Sequence, residues 1–149
     1  ELKLQGNNQG ATHTKVISSI TEANRRVVAV RAHDDGTTLC SFADTDGAGT
    51  FKHDNVKYVR ITNLDSSNYI ILSLEENATG TGDAHTADKM MCQIKLEAGK
   101  SFMLGVMAID NHDSSSSFLN VNLEDLTGIR GRAYGAAVNT EVFIAAVTA

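Results

Sequence analysis

The sequence predicts an all-β protein, built as a single antiparallel β-sandwich. Apolar and polar residues alternate in many short runs, whereas no segment keeps apolar residues at the helical spacing of about 3.6. Clusters of Gly, Asn, Asp and Ser separate these runs, as at 34–36 and 65–68, and they must form the turns because the chain has no proline. Many short strands with turn signals between them are typical of a sandwich or barrel. A length of 149 residues suits one domain.

The first segment, residues 1–14, is predicted to be an extended N-terminal arm. It holds few apolar side chains and includes the polar run Gln5 to Gly10. Such a segment adds little to a core and orders best against a neighbour. The β-sandwich domain is therefore expected to span residues 15–149.

The strands are predicted from short apolar runs bounded by turn residues. These runs are six to nine residues long, within the usual range for a strand in a globular protein. The predicted strands cover residues 15–20, 26–32, 37–42, 56–63, 70–75, 90–96, 102–108, 118–123, 126–134 and 141–147.

A hairpin is indicated most clearly at residues 56–75. Val59 and Ile61 share one face of the first run, and Ile70, Leu72 and Leu74 share one face of the second. The turn cluster 65–68 lies between the two runs. We therefore expect these two strands to pair directly.

Composition excludes several classes of protein. No uninterrupted apolar run approaches the ~20 residues needed to cross a bilayer, so no membrane partner is expected. The formal net charge of −5 disfavours nucleic acid as the main partner, because phosphate binding needs a basic surface. Cys40 and Cys92 both lie in apolar runs and are predicted to be buried free thiols.

Motifs that carry chemistry are incomplete, which predicts a non-enzymatic protein without a cofactor or metal. The loop beginning at Asp44 and Asp46 lacks two donors of a calcium loop, so an Asx turn is expected there. Gly99 and Lys100 lack the remaining glycine of a phosphate-binding loop. Histidine precedes aspartate at positions 33, 53 and 112, in polar contexts that predict solvated loops rather than a catalytic dyad.

Arg130, Arg132 and Tyr134 form the one basic spot whose spacing indicates an interface. On a strand these three residues share a face with Gly128. Arginine and tyrosine are over-represented at protein interfaces, and an acidic partner surface would suit them. The simpler interpretation is a solvated face.

Two phrases of the sequence resemble a known group of proteins. The first is Tyr58-Val59-Arg60-Ile61-Thr62-Asn63-Leu64-Asp65-Ser66-Ser67-Asn68-Tyr69-Ile70, and the second is Ile94-Lys95-Leu96-Glu97-Ala98-Gly99-Lys100-Ser101-Phe102-Met103-Leu104. Together with the closing run 140–146, they resemble small virion structural proteins of tailed bacteriophages.

The resemblance implies a jelly-roll-like sandwich that decorates or cements a capsid. It implies the major capsid protein as partner, self-association as a dimer or trimer, and a location on the capsid surface. An arm commonly helps in such assemblies, which makes Leu2, Lys3 and Leu4 candidate contacts together with Arg130, Arg132 and Tyr134. The alternative is a carbohydrate- or receptor-binding domain of a tail fibre, which would use loops 77–88 and 111–117.

Overall fold

The computed structural model describes residues 16–32, 36–76, 90–105 and 126–147, with the backbone alone at 3–4, 7–8, 76 and 90–91. About two-thirds of the described residues are in strands, and the only helical element among them is a short 3-10 turn at His53–Asn55. The strands are β1 Lys3–Leu4, β2 Asn7–Asn8, β3 Glu22–Val30, β4 Thr37–Ala43, β5 Phe51–Lys52, β6 Val56–Asn63, β7 Ile70–Glu76, β8 Met90–Leu96, β9 Ser101–Leu104, β10 Leu126–Ala133 and β11 Val138–Ala146.

Two sheets pack face to face, which confirms the predicted β-sandwich. One sheet has five strands in the order β5-β4-β10-β7-β8, and the other has four in the order β3-β11-β6-β9. Neighbouring strands are antiparallel except for the short β4–β5 pair, and β1 pairs only with β2. The jelly-roll connectivity stays a prediction.

The core lies between the sheets because strands of both present alternate apolar residues to each other. In β6 the buried side chains are those of Val56, Val59, Ile61 and Asn63. In β10, Ile129 and Ala133 face inward, and Gly131 between them lets the sheets approach closely. Side chains of opposite parity on both sheets form the two outer faces.

The predicted hairpin of residues 56–75 is wrong, because β6 and β7 belong to different sheets. Residues 64–69 form an arch that carries the chain from the four-stranded to the five-stranded sheet. The inward residues of β6 and β7 therefore meet across the core instead of side by side. Alternation places these residues on the buried face in either arrangement, so the pattern could not separate the two.

A second arch, residues 97–100, returns the chain from β8 to β9, and the buried side chain of Asn63 joins it to the first. The Asn63 Nδ2 donates to the backbone oxygens of Asn68 (2.8 Å) and Leu96 (3.2 Å). Its Oδ1 accepts from the backbone N of Asp65 at 2.9 Å. The backbone N of Gly99 donates to the Asn63 carbonyl at 3.1 Å. We call residues 64–69 and 97–100 the double arch.

The strand predicted at 15–20 is also wrong where the structure describes it. Residues 16–21 are irregular, and β3 begins only at Glu22. Val16 is 83% exposed, so its apolar character reflects no place in the core. Ser19 has a φ of 63°, in the left-handed region, which interrupts an extended strand.

Both cysteines are free thiols, as predicted, but only one of them is buried. Cys40 lies in the core, where burial raises the pKa of its thiol to about 12. Cys92 is exposed because β8 is the edge strand of its sheet. The prediction of burial is therefore wrong for Cys92.

Candidate functional site: a basic and aromatic sheet face

The outer face of the five-stranded sheet brings basic and aromatic side chains into one group. Strand pairing places Arg132 opposite Ile71, and Ile71 in turn opposite Lys95. Two residue pairs further along the same two strands, Arg130 lies opposite Ser73. Directly paired residues of antiparallel strands point to the same side. We call the set Tyr69, Ile71, Lys95, Arg130, Arg132 and Tyr134 the Arg-Tyr face.

Two stacked tyrosines lie at one end of this face, next to the first arch. The rings of Tyr69 and Tyr134 are 5.5 Å apart between centroids and are inclined by 20°. The Lys95 Nζ lies 4.3 Å from the centroid of the Tyr69 ring, and the Arg132 Cζ lies 5.6 Å from that of Tyr134. Both are cation–π distances, so a cation flanks each ring of the stack. The stack holds Tyr134 in place although the residue is 56% exposed.

The face presents positive charge on an acidic chain. Lys95 forms an ion pair with Glu97, with Nζ and Oε1 2.6 Å apart. The hydrogen bond to Glu97 raises the pKa of Lys95 above its ordinary value, so this side chain stays protonated at neutral pH. Arg130 and Arg132 add two permanent charges on the next strand but one. The two stacked rings are already held in place, so this face can bind an acidic surface without first ordering these side chains.

The structure brings together three of the six contact residues predicted from the sequence. Arg130 and Arg132 lie on one face of β10, and Tyr134 follows that strand directly. Leu2 and the side chains of Lys3 and Leu4 lie outside the described residues.

Tyr69 and Lys95 were missed by sequence reasoning. Each has the outward parity of its own strand, but only the pairing of β10 with β7 and of β7 with β8 brings them to Arg132 and Tyr134. The odd-numbered positions 69, 71 and 73 were the available signal, because they alternate with the apolar residues 70, 72 and 74.

The outer face of the four-stranded sheet carries a second charged group, centred on Glu141. This carboxylate is only 7% exposed and accepts from the Arg25 Nε at 2.7 Å and the Arg60 Nη2 at 2.8 Å. The guanidinium of Arg60 lies 5.6 Å from the centroid of Phe143, and Tyr58 packs against the same ring edge to face. Glu141 thus fixes two arginines from the neighbouring strands β3 and β6.

The substitution Glu141→Gln should make stability less dependent on pH. The hydrogen bonds from Arg25 and then Arg60 hold the pKa of Glu141 below its ordinary value. A carboxyl group with a lowered folded-state pKa stabilises the fold above its unfolded-state pKa, and this contribution disappears as pH falls through the folded-state value. The wild type should therefore have the higher melting temperature near neutral pH, by several degrees. The difference should shrink as the pH falls through the lowered folded-state pKa of Glu141.

Thermal melts of both proteins over that pH range measure the effect. Glu97→Gln is the matched control, because Glu97 pairs with Lys95 on an exposed part of the surface, where an ion pair contributes little. An equal pH dependence of the difference in both variants would contradict the role assigned to Glu141.

The acidic loop 44–50 is organised by hydrogen bonds. The Asp46 Oδ1 accepts from the backbone N of Lys52 at 2.8 Å, and the Asp44 Oδ1 lies 3.6 Å from the Nδ1 of His53. His53 is buried against Phe42, so the predicted solvated position is wrong for this histidine. His33-Asp34 and His112-Asp113 lie outside the described residues. Among the described residues, no three His, Cys, Asp or Glu side chains are grouped as metal ligands would be.

Comparisons with protein-family models, with curated proteins and with solved structures found no match. Within the described ranges, no helix has the length and apolar character needed to span a membrane.

Proposed function

We propose that the protein is a non-enzymatic structural protein of a tailed-phage virion, which binds the outer surface of the capsid and stabilises it. The observation that carries this proposal is the Arg-Tyr face, with its stacked pair Tyr69–Tyr134 between Arg132 and Lys95. The resemblance of residues 58–70 and 94–104 to phage virion proteins supports the virion location and a jelly-roll-like connectivity.

The proposed mechanism is mechanical. The Arg-Tyr face docks on an acidic region of the major capsid protein, and the rigid sandwich bridges neighbouring shell subunits. Tyrosine and arginine contribute most where they are held in place and lose water on binding. Copies of the protein also contact one another, as a dimer or trimer, so that weak individual contacts add through avidity. The arm residues Leu2, Lys3 and Leu4 are proposed as further contacts.

The copy number of this chain in purified particles tests the virion location. Quantitative mass spectrometry would compare it with the copy number of the major shell protein. We expect a ratio near parity or a simple fraction of parity, since a decoration protein follows the symmetry of the shell. A few copies per particle would instead place it in the tail or portal, and its absence would contradict the proposal.

Charge reversal tests the docking face. The double substitution Arg130→Glu and Arg132→Glu should weaken binding to particles stripped of the protein by about tenfold or more, because arginines at an interface centre are common hot spots. The double substitution Lys57→Glu and Lys100→Glu is the matched control: it also reverses two cations, and neither of them belongs to the Arg-Tyr face. Equal losses in both variants would show a nonspecific charge effect and contradict docking through this face.

A second candidate is a carbohydrate- or receptor-binding domain of a tail fibre. The exposed ring of Tyr134 favours it, because aromatic side chains offer flat surfaces to sugar rings. The loops assigned to this function, 77–88 and 111–117, lie outside the described residues. Binding to a glycan array that is lost in Tyr134→Ala would favour this function, provided that the same variant still binds stripped particles.

A further inference from the structure

The strand β3 forms a long edge of the sandwich. Within the described part of the chain it pairs with β11 on one side and with no strand on the other. Its nine residues make it the longest edge strand described, and all but Arg26, Val28 and Val30 are exposed. Val27 is 58% exposed. An edge of this kind offers free backbone N–H and C=O groups to another strand.

The edge strand carries two side chains of opposite charge, Glu22 and Arg26, which can pair with the same two side chains of a second copy. Glu22 and Arg26 lie four positions apart on the same strand face and line a cleft of about 210 Å³ with Asn24. The Arg26 Nη2 donates to the backbone oxygen of Leu39 at 2.6 Å, but its buried Nε has no partner among the described residues. The Arg26 guanidinium is therefore held in place by one hydrogen bond and can donate further hydrogen bonds. Glu22 lies exposed on the same strand.

We propose that β3 pairs antiparallel with β3 of a second copy, about a two-fold axis at Asn24. This joins the two four-stranded sheets into one continuous sheet. In this register Glu22 of each copy lies opposite Arg26 of the other, and the two Asn24 side chains meet at the axis. Ile20 and Val28, both partly buried, also become neighbours across the pair. The inference specifies the self-association in the proposed function and rests on that part of it.

Charge selects this register over its neighbours. A two-fold axis perpendicular to the sheet at Arg25 or Arg26 would place like charges directly opposite each other, which destabilises a strand pair. An axis at Val27 would pair Arg26 with Val28 and leave Glu22 without a cation. The register at Asn24 alone forms two Glu22–Arg26 pairs. Each copy contributes one of each charge, so the contact is self-complementary as a two-fold interface must be.

The contact is small, so the dimer is expected to be weak. A single added strand buries less area than the roughly 1,200–2,000 Å² of a standard stable interface. A dissociation constant in the micromolar range or above is expected, about −8 kcal/mol or weaker. Such a weak dimer forms mainly where many copies are held close together, as they would be on a particle. In solution, a disulfide bond between the two copies can trap it.

Disulfide cross-linking of single introduced cysteines measures which residues lie opposite each other in the dimer. The variants are made in the full chain with Cys92→Ser, which removes the exposed thiol. Asn24→Cys should form a disulfide-linked dimer under mild oxidation, because residues directly opposite have Cα atoms about 4.5–5.5 Å apart. Val27→Cys is the matched control on the same strand. Its two copies would lie about 20 Å apart, six residues along the strand direction, and should not cross-link. Mixing Val27→Cys with Thr21→Cys should restore cross-linking.

A charge variant tests the cause of the pairing. Glu22→Arg should reduce Asn24→Cys cross-linking by about tenfold, while Glu97→Arg, an exposed carboxylate elsewhere, should leave it unchanged. Circular dichroism melts confirm that each variant is folded. Cross-linking through Val27 alone, or none through Asn24 in a folded protein at about 100 µM, overturns the proposal. Cross-linking only after deletion of residues 1–14 would show that the chain covers its own edge, and also overturns it. Capsid binding through Arg130 and Arg132 is a separate measurement, so either proposal can fail alone.

Discussion

Replacing Asn63 with alanine is expected to lower the free energy of unfolding by about 2–4 kcal/mol. The side chain is fully buried and makes three hydrogen bonds to backbone groups, which all lose their partner in the variant. A typical hydrogen bond contributes about 1 kcal/mol net, and a buried group left without a partner costs more. Urea unfolding followed by circular dichroism measures the change.

Two further variants isolate the cause of this loss. Asn63→Leu keeps much of the volume but no hydrogen bond, so it should be nearly as unstable as Asn63→Ala. Asn139→Ala is the control, because that amide is exposed and a surface substitution usually changes stability by less than about 0.5 kcal/mol. If Asn63→Leu were as stable as the wild type, packing rather than hydrogen bonding would hold the double arch.

Gly131→Val is expected to destabilise the protein by about 1–3 kcal/mol through overpacking. A Cβ at this position would lie 3.0 Å from the Leu39 Cδ1 and 3.2 Å from the Val30 Cγ2, a side chain of the opposite sheet. The extra methyl groups of valine have no space, so the sheets must separate or the neighbours must change rotamer. Because Gly131 lies between Arg130 and Arg132, the change should also weaken binding through the Arg-Tyr face.

Gly47→Val is the matched control for Gly131→Val. A Cβ at Gly47 would meet only the Thr50 Cβ, at 3.9 Å, in an exposed turn. Its expected change is within about 0.5 kcal/mol. Equal losses at both positions would mean that loss of glycine itself, rather than the close approach of the sheets, destabilises the protein.

The strands were predictable where alternation was regular. The runs 56–63, 70–75 and 90–96 correspond closely to β6, β7 and β8, because one buried face imposes a period of two. The irregular structure of the run 15–20 was not predictable. Val16 and Ile20 are apolar, but the core begins only further along β3, and the sequence does not show whether a single apolar residue is exposed.

Pairing could not be predicted from local patterns, and neither could the site that depends on it. The turn cluster 65–68 marks a reversal of direction in both a hairpin and an arch. The six residues 64–69 exceed the two to five of a usual hairpin loop, which was the available warning. Arg130, Arg132 and Tyr134 share a face by their spacing alone. Tyr69 and Lys95 come close to them only because β10 pairs with β7 and β7 pairs with β8. The spacing of residues within one strand carries no information about which strands pair.

The position of Asn63 links two segments that are distant in the sequence, 58–70 and 94–104. The first segment contains most of β6 and the first arch, and the second contains the second arch and β9. Asn63 lies in the first segment and bonds to Leu96 and Gly99 of the second. The segments therefore form one hydrogen-bonded corner of the sandwich, and each depends on the other.

The place of β11 in its sheet has a consequence for synthesis on the ribosome. This strand is the last described in the chain, yet it lies between β3 and β6. Until β11 has emerged, β3 therefore lacks the strand with which it pairs, and β6 can pair only with β9. At about 5–20 residues per second, β3 waits several seconds with its apolar residues uncovered. Pairing between such distant segments also makes folding slow. The nascent chain is thus prone to aggregate before β11 is released, and a chaperone that binds extended segments should raise the yield of folded protein.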